Sequence, residues 1–303
     1  MRRLRFLGTL VHALIGSAAL AAPSDSGPHA NTSAPPMRWL LSPELKDAQG
    51  KVVDASPPEQ VVRYLQAHWR DQEHEILRAN GSRSMQMLRA GEPYCHGAMI
   101  RSPEREALLL FSTTAMTPPP SLIVARHRLA ALPRNAAGEV DLVTLVHQGH
   151  WRGALVSGRS YGPVVDGLLR ALGPENKTPG LSFYSPRDFG SPLLAMLHRG
   201  RADYTIEYEW ILRAPGTGDR AADGLVAVPI QGASQLTRSG IACPRTDWGR
   251  AAIARIDRIL STPEAVEALK QAHEDRYPAE VRRRYANQLD QFYRKRAQPG
   301  ASP

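Results

Sequence analysis

The sequence predicts an α/β protein of two lobes, each a mostly parallel sheet flanked by helices. Strand-like and helix-like segments alternate twice in the order β-α-β-α-β, over 37–100 and again over about 125–230, and this alternation is typical of parallel sheets with helical crossovers. The chain has 303 residues, of which 42% are hydrophobic. That is long enough for two domains of ordinary size and apolar enough for a core in each.

The first alternation follows from strand composition and helix signals. Strands are predicted at 37–41, 74–77 and 95–100. Ser56 and Pro57 form an N-cap and first-turn pair, and a short helix is expected at 82–90. The polar segment around Arg105 reads as a tight turn, followed by an apolar rise to Phe111 and Ser112.

The second alternation begins with a strand at 121–125, after a proline-rich turn. It is followed by a short helix near 141–147 that Asp141 can cap, and by a strand at 154–156. The helix after Gly162 ends at Gly173 and Pro174, both typical helix-stop residues. The remaining elements are predicted at 181–184, 189–198, 203–208 and 225–228.

A further strand is predicted at 235–242, and the rest of the chain reads as helical. The three C-terminal helices are predicted at 247–260, from 263 and at 281–296.

The N-terminus has the pattern of a signal peptide that directs export and is then removed. Arg2, Arg3 and Arg5 precede an apolar run over 6–20, and Ala19 and Ala21 provide a small-x-small cleavage site. A polar lead-in over 22–36 then reads as disordered. These features predict a soluble periplasmic protein, whose net charge falls from +9 to about +6 when the three arginines leave.

The chain has two cysteines, Cys95 and Cys243. In an oxidising compartment two cysteines most simply form one disulfide. Two alternatives remain open at this point: a catalytic cysteine beside His96, and a metal pair. A metal site needs more ligands at short spacing, and adjacent Cys and His side chains point to opposite faces of a strand.

Several classes of function lack their signatures. We find no Ser-His-Asp arrangement, paired carboxylates or metal-ligand spacing, so neither a cofactor nor a metal is expected. Basic residues concentrate at 276–296, but without a basic and aromatic platform they indicate a solvated helix face rather than a nucleic-acid site.

The loop over 157–162 lies between a strand and a helix, where α/β lobes bind ligands. Its backbone N–H groups, the Ser157 and Ser160 hydroxyls and the Arg159 guanidinium could form a cup for an anion. Ordinary helix capping is the alternative interpretation. The spacing of a dinucleotide-binding or phosphate-binding loop is absent.

Two further positions are candidates. Arg105 could clamp a carboxylate in a bidentate manner, or could pair with neighbouring glutamates on the surface. Glu207-Tyr208-Glu209-Trp210 ends a predicted strand, and strand alternation places Glu207 and Glu209 on one face and Tyr208 and Trp210 on the other. A carboxylate there could meet an ammonium group, or could be solvated.

Taken together, these segments resemble a known family. The run from Met99 to Ser112, the loop over 157–162 and Gly200-Arg-Ala-Asp203 are similar to the extracellular solute-binding proteins of family 3, which include polar amino-acid receptors of ABC transporters. An uncharacterised periplasmic branch of that family shares the cysteine in the third strand and the returning Cys243-Pro-Arg-Thr-Asp-Trp-Gly249. The resemblance spans about residues 37–285.

The resemblance implies a type II periplasmic binding fold, in which two lobes joined by two hinge crossovers close on a ligand. Lobe 1 would comprise residues 37–119 and 235–296, and lobe 2 would comprise 120–234, with a disordered tail at 297–303. In this fold the returning strand lies beside the third strand, which places Cys243 next to Cys95 and implies their disulfide.

The resemblance also implies roles for individual residues. Arg105 corresponds to the arginine that binds the ligand carboxylate, and Ser160 to a hydroxyl donor of the second lobe. The family's ammonium-binding aspartate falls on Tyr208, and a small hydroxyl position falls on Ile100. Trp39 is the nearest candidate for an aromatic residue that stacks on the ligand.

The function implied is binding of a small polar, carboxylate-bearing and amino-acid-like solute by a monomer without enzymatic activity. Its partner would be an inner-membrane ABC permease or a sensor kinase. The alternatives are an enzyme on the same fold, similar to a cyclohexadienyl dehydratase with Glu207 or Glu209 as the acid, and a sensory input protein of the envelope.

Overall fold

The computed structural model describes residues 35–44, 56–175, 177–186, 191–213 and 224–298. The predicted signal peptide, most of the predicted lead-in and the last five residues of the predicted tail lie outside these ranges, as does the predicted helix start at 189–190. None of the described helices combines the length and apolar character needed to cross a bilayer.

Lobe 1 is built on a five-stranded mixed sheet in the order β2-β1-β3-β10-β4. Its strands are β1 (Met37–Leu41), β2 (His74–Arg78), β3 (Cys95–Ile100), β4 (Leu109–Thr117) and β10 (Thr237–Pro244). β1 pairs in parallel with β2 and β3, whereas β10 runs antiparallel to both of its neighbours.

Helices cover both faces of the lobe 1 sheet. They are α1 (Pro57–His68), α2 (Gly81–Arg89), the single-turn α3 (Pro103–Glu106), α7 (Asp247–Leu260), α8 (Pro263–Glu274) and α9 (Ala279–Arg296). One buried cluster joins α1 and the C-terminal helices to β1 and β10. A second cluster joins α2 to the opposite face. The predicted caps at Ser56 and Thr262 are present.

Lobe 2 has a second five-stranded mixed sheet in the order β7-β6-β8-β5-β9. Its strands are β5 (Ser121–Ala125), β6 (Gly153–Val156), β7 (Leu181–Tyr184), β8 (Tyr204–Glu207) and β9 (Leu225–Pro229). Its helices are α4 (Leu142–His147), α5 (Pro163–Leu172) and α6 (Ser191–His198), with 3-10 turns at Arg126–Ala131 and Glu209–Arg213. Separate apolar clusters fill its two faces.

The prediction of two lobes with mostly parallel sheets is confirmed. In each sheet four of the five strands run in the same direction. The exceptions are β10 in lobe 1 and β5 in lobe 2, each of which is antiparallel to both of its neighbours. Both enter their sheets directly from a crossover, without an intervening βαβ helix, so the right-handed parallel connection does not apply to them.

The crossovers are tied to the C-terminal helices. They occupy residues 118–120, between β4 and β5, and 230–236, between β9 and β10. The Tyr277 hydroxyl donates to the Met116 carbonyl at 3.0 Å, and the Tyr285 hydroxyl donates to the Ser234 carbonyl at 3.0 Å. The segment from α8 to α9 therefore holds the points at which both crossovers leave lobe 1.

Cys95 and Cys243 form a disulfide between adjacent strands, with their Cα atoms 4.3 Å apart. Cys95 begins β3, and Cys243 lies near the end of the antiparallel β10. Both are fully buried in the lobe 1 core. The bond was predicted, and the chain between the two cysteines includes the whole of lobe 2.

We expect the Cys95→Ala/Cys243→Ala variant to unfold more easily than the wild type. A loop of this length gives a chain-entropy stabilisation of up to about 5 kcal/mol. Urea unfolding followed by circular dichroism measures the loss. Dithiothreitol should lower the midpoint of the wild type and leave the double variant unchanged. Equal midpoints for the oxidised wild type and the variant would contradict this expectation.

Candidate functional site: a cleft between the lobes

A cavity of about 300 Å³ lies between the two lobes. Lobe 1 contributes residues after the carboxyl ends of β1 and β3, and lobe 2 contributes residues after β6 and β8. The carboxyl ends of parallel strands are the usual place for ligands in open α/β sheets. The cavity is also near the lower end of the volumes found for small-molecule sites.

Arg105 reaches into the cleft from α3, the single helical turn that follows β3. Ser102 caps this turn through its side chain. Arg105 Nη1 donates to the Ile100 carbonyl at 3.0 Å, and Nη2 approaches the Gly158 carbonyl of lobe 2 at 3.5 Å. Its guanidinium thus bridges the two lobes, and its protein acceptors are neutral carbonyl groups.

No carboxylate of the described residues lies within 4 Å of the Arg105 guanidinium. Burial lowers the pKa of Arg105, and the nearby Arg159 adds to the effect, while Asp166 and Tyr208 oppose it. Arginine nevertheless stays protonated. Arg105 is therefore a half-buried cation whose charge the nearby protein groups do not directly neutralise.

Arg159 is paired internally. Both of its terminal nitrogens contact the Glu207 carboxylate in a bidentate ion pair, with Nη2 to Oε2 at 3.0 Å. The Glu207 side chain is 0% exposed and that of Arg159 is 12% exposed. Burial opposes the charge of Arg159, but the Glu207 carboxylate more than offsets this and raises the pKa of Arg159.

Two tyrosines flank the same guanidinium. The Arg159 carbon Cζ lies 5.4 Å from the ring centre of Tyr161 and 5.3 Å from that of Tyr208, within the range of cation–π attraction. Burial raises the pKa of Tyr208 to about 12. Tyr208 therefore presents a neutral phenol to the cleft at physiological pH.

The other side-chain donors of the 157–162 loop are also satisfied within the chain. Asp166 accepts from the Ser160 hydroxyl at 2.6 Å and from the Tyr161 N–H at 2.7 Å. Glu175 accepts from the Ser157 hydroxyl at 2.7 Å and from the Gly158 N–H at 3.1 Å. The loop predicted to hold an external anion thus already faces three carboxylates of its own lobe.

The predicted strand end around Glu207 has a different shape. β8 ends at Glu207 and a 3-10 turn begins at Glu209, so strand alternation does not apply beyond 207. Tyr208 and Trp210 nevertheless stack, with ring centres 6.2 Å apart and planes 7° apart, and both line the cavity. Glu207 is buried and does not line the cavity.

Trp39 does not reach the cleft. It is 0% exposed in the lobe 1 core, and its indole N–H donates to His74 Nδ1 at 3.0 Å. β1 is an inner strand whose odd-numbered side chains face α1 and the C-terminal helices. The prediction that Trp39 stacks on the ligand is therefore wrong. The aromatic residues at the cavity in lobe 2 are Trp210 and Tyr208.

Sequence reasoning missed several cavity residues. They are His96, Trp210, His273, Arg276 and Tyr277. The last three belong to α8 and the segment after it, about 170 residues beyond Arg105 in the chain, and no local motif marks them. Trp210 had a usable signal, because it follows a predicted strand end, where ligand sites occur in α/β lobes.

Two buried histidines at the cavity are neutral. Burial, together with the charge of Arg105, lowers the pKa of His96 to about 4. Burial likewise lowers the pKa of His273 to about 4, with Arg276 adding to the effect. His96 Nδ1 accepts from the Ala98 N–H at 3.2 Å, and His273 Nδ1 donates to the Leu269 carbonyl at 2.8 Å.

We expect the free energy of unfolding to fall as the pH is lowered from about 6.5 to about 4. In this window the unfolded imidazoles take up protons and the folded ones do not, so stability rises with pH, by on the order of 1–3 kcal/mol per imidazole. Urea titrations across this range measure the slope. His96→Gln and His273→Gln should each flatten it, whereas His150→Gln, at an exposed imidazole, should not. If neither His96→Gln nor His273→Gln changes the pH dependence of the free energy of unfolding, the two lowered pKa values are contradicted.

Comparison with known proteins gives information on the fold. No protein-family model matches the chain, and no curated protein matches it. Many solved structures do match. An amino acid ABC transporter substrate-binding protein from Streptococcus pneumoniae, bound to L-arginine, aligns with a TM-score of 0.59 at 14% identity over 79% of this chain and 93% of its own. The chain has the two-lobed fold of periplasmic binding proteins.

Two other structures support the same fold. A putative L-cystine ABC transporter protein from Listeria monocytogenes aligns with a TM-score of 0.60 at 14% identity, over 82% of this chain and 98% of its own. A histidine kinase sensor domain with similarity to periplasmic binding proteins aligns with a TM-score of 0.55 at 14% identity, over 88% of this chain and 98% of its own. At these identities the likeness concerns the fold, and function has to be argued from the cleft.

Proposed function

We propose that this protein binds a small, carboxylate-bearing solute of amino-acid size in the cleft between its lobes. The observation that carries this is Arg105, a half-buried guanidinium that contacts both lobes and has no carboxylate within 4 Å among the described residues. A ligand carboxylate would supply the missing counter-charge through a bidentate pair. Because lobe 2 lies directly opposite, ligand binding would also favour closure of the lobes.

Within the proposed site the residues have different roles. Arg105 is the direct carboxylate partner, and Tyr208 and Trp210 form an aromatic wall. Arg159 borders the cleft as a positioned cation, and Ser157 and Ser160 hold the loop through their carboxylate acceptors. Glu207 acts through Arg159, which it holds in place.

A binding protein without enzymatic activity fits these contacts better than an enzyme. A general acid has to carry a transferable proton and touch the substrate. Both oxygens of Glu207 instead accept from Arg159, and its side chain is 0% exposed. The dehydratase-like alternative assigns the proton to this carboxylate, so the geometry disfavours it.

The sequence and the fold together support a proposal for export and for partners. The predicted signal peptide directs the chain to the periplasm as a soluble monomer, where the ligand would be passed to an inner-membrane ABC permease or detected by a sensor kinase. Solved structures with this fold include proteins named for each role. Permease and ATPase genes next to this one would favour uptake, and a sensor kinase gene would favour sensing.

A thermal-shift screen tests the proposal. The mature chain is heated with a library of amino acids, small carboxylic acids, amines and short peptides. A ligand at a hundredfold excess over its dissociation constant should stabilise the protein by about 2.7 kcal/mol. We expect hits among carboxylates. A library in which no carboxylate stabilises the protein would overturn the proposal.

A further inference from the structure

We infer that the ligand is a carboxylic acid with an apolar body and without an ammonium group. This rests on the proposed function and narrows the class of solute. Among the described residues, three arginines and one glutamate line the cavity. That glutamate, and three carboxylates behind the lobe 2 wall, are engaged by donors of the protein.

Glu59 is the carboxylate that lines the cavity among the described residues, and both of its oxygens are engaged. Its Oε1 accepts from Arg78 at 2.5 Å, and its Oε2 accepts from the Ser56 N–H at 2.9 Å and from the Ser56 hydroxyl at 3.2 Å. The contacts with Ser56 are part of the cap of α1. An ammonium group would have to share Glu59 with Arg78 and with this cap.

The carboxylates just behind the lobe 2 wall are engaged as well. Glu207 is paired with Arg159, Asp166 accepts from Ser160 and Tyr161, and Glu175 accepts from Ser157 and Gly158. Each therefore satisfies donors of its own lobe. A ligand amine would find cations and neutral donors on this side of the cavity.

Three guanidinium groups line the same space, those of Arg105, Arg159 and Arg276. The histidines at the cavity, His96 and His273, are neutral and supply no negative charge for an amine. A cationic group placed here would lose its hydration and would be repelled by Arg105, and burying an ammonium group without a partner is costly.

The remainder of the wall is mainly apolar and aromatic. Its members include Leu41, Ala98, Ile100, Val156, Trp210 and Tyr277. Such a surface favours a hydrocarbon body, for which burial is worth roughly 25 cal/mol per Å². A carboxylate on Arg105 and an apolar body against this wall therefore match the cavity.

Matched pairs of ligands test the inference. The starting set is 3-phenylpropanoate with L-phenylalanine, 4-methylpentanoate with L-leucine, and 3-(4-hydroxyphenyl)propanoate with L-tyrosine. Every further carboxylate that stabilises the protein in the screen is also paired. An amino acid is compared with the same acid without its α-ammonium group, and any other acid is compared with its α-amino derivative. Isothermal titration then measures both dissociation constants. We expect the member without ammonium to bind at least about tenfold more tightly, because the carboxylates described at the cavity and behind its lobe 2 wall are already shared with protein donors.

The outcomes separate this inference from the proposed function. If amino acids bind as tightly as their counterparts or more tightly, the inference is overturned, while carboxylate binding in the cleft stands. If no carboxylate of either kind binds, the proposed function falls and the inference falls with it.

A pair of variants provides a second test. Arg159→Ala removes the guanidinium that covers Glu207 and opens a carboxylate to the cavity, so the preference should shift towards the amino acid of each pair. Arg159→Ala/Glu207→Gln opens the same space without the charge and should keep the original preference. Circular dichroism confirms that both variants are folded. An identical shift in both variants would overturn the assignment of the cavity charges.

Discussion

Replacing Arg105 with alanine should remove carboxylate binding while leaving the fold intact. The guanidinium has no carboxylate within 4 Å among the described residues, and it contacts both lobes. Removing one partner of a buried charge pair at an interface costs about 2–5 kcal/mol. The dissociation constant should therefore rise by about 30-fold to several thousand-fold, as measured by isothermal titration with the best ligand of the screen.

Two further variants make this result specific. Arg105→Lys keeps the charge but loses the bidentate geometry, so it should bind with intermediate affinity. Arg284→Ala removes an exposed arginine of α9 that pairs with Glu280 at 3.2 Å, and it should bind like the wild type. Unchanged affinity in Arg105→Ala would mean that the carboxylate is held elsewhere.

Replacing Glu207 with alanine should cause a large loss of stability. The substitution leaves the Arg159 guanidinium buried between Tyr161 and Tyr208 without its carboxylate. Breaking a buried ion pair by removing one partner costs about 3–5 kcal/mol. Urea unfolding measures this loss.

The double variant Arg159→Met/Glu207→Leu provides the matched comparison. It removes both charges, so it should recover most of the stability lost in Glu207→Ala. Glu280→Ala breaks an exposed pair and should change stability by no more than about 0.5 kcal/mol. If Glu207→Ala is as stable as Glu280→Ala, then the buried pair does not hold the lobe 2 wall in the way described.

The parts of the fold that depend on local pattern could be predicted from the sequence. β1 and β3 have the predicted bounds, because strand composition and flanking turn residues are local signals. The disulfide between Cys95 and Cys243 was also predicted, from the cysteine count and from the place of the returning strand in the fold that the chain resembles. The reversed direction of β5 and β10 was not predicted, because it depends on how the crossovers enter the sheets.

The site shows the limit of sequence reasoning more clearly. Arg105 and the 157–162 loop do lie at the cleft, because both follow strands that end there. Asp166 and Glu175 were not foreseen as the acceptors of that loop, since both become its neighbours only when α5 packs. Trp39 was misplaced because an aromatic residue in a strand gives no sign of which sheet face it occupies. Tyr277 and His273 come from a distant segment that no motif marks.

Carboxylate binding through Arg105 can be tested by titrating the wild type with the best acid found in the screen. The second titrant is the primary amide of that acid, which has nearly the same shape and no charge. We expect the acid to bind and the amide to bind at least about a hundredfold more weakly, since a charge-assisted pair is replaced by neutral hydrogen bonds. Equal affinity for the acid and the amide would contradict carboxylate binding through Arg105.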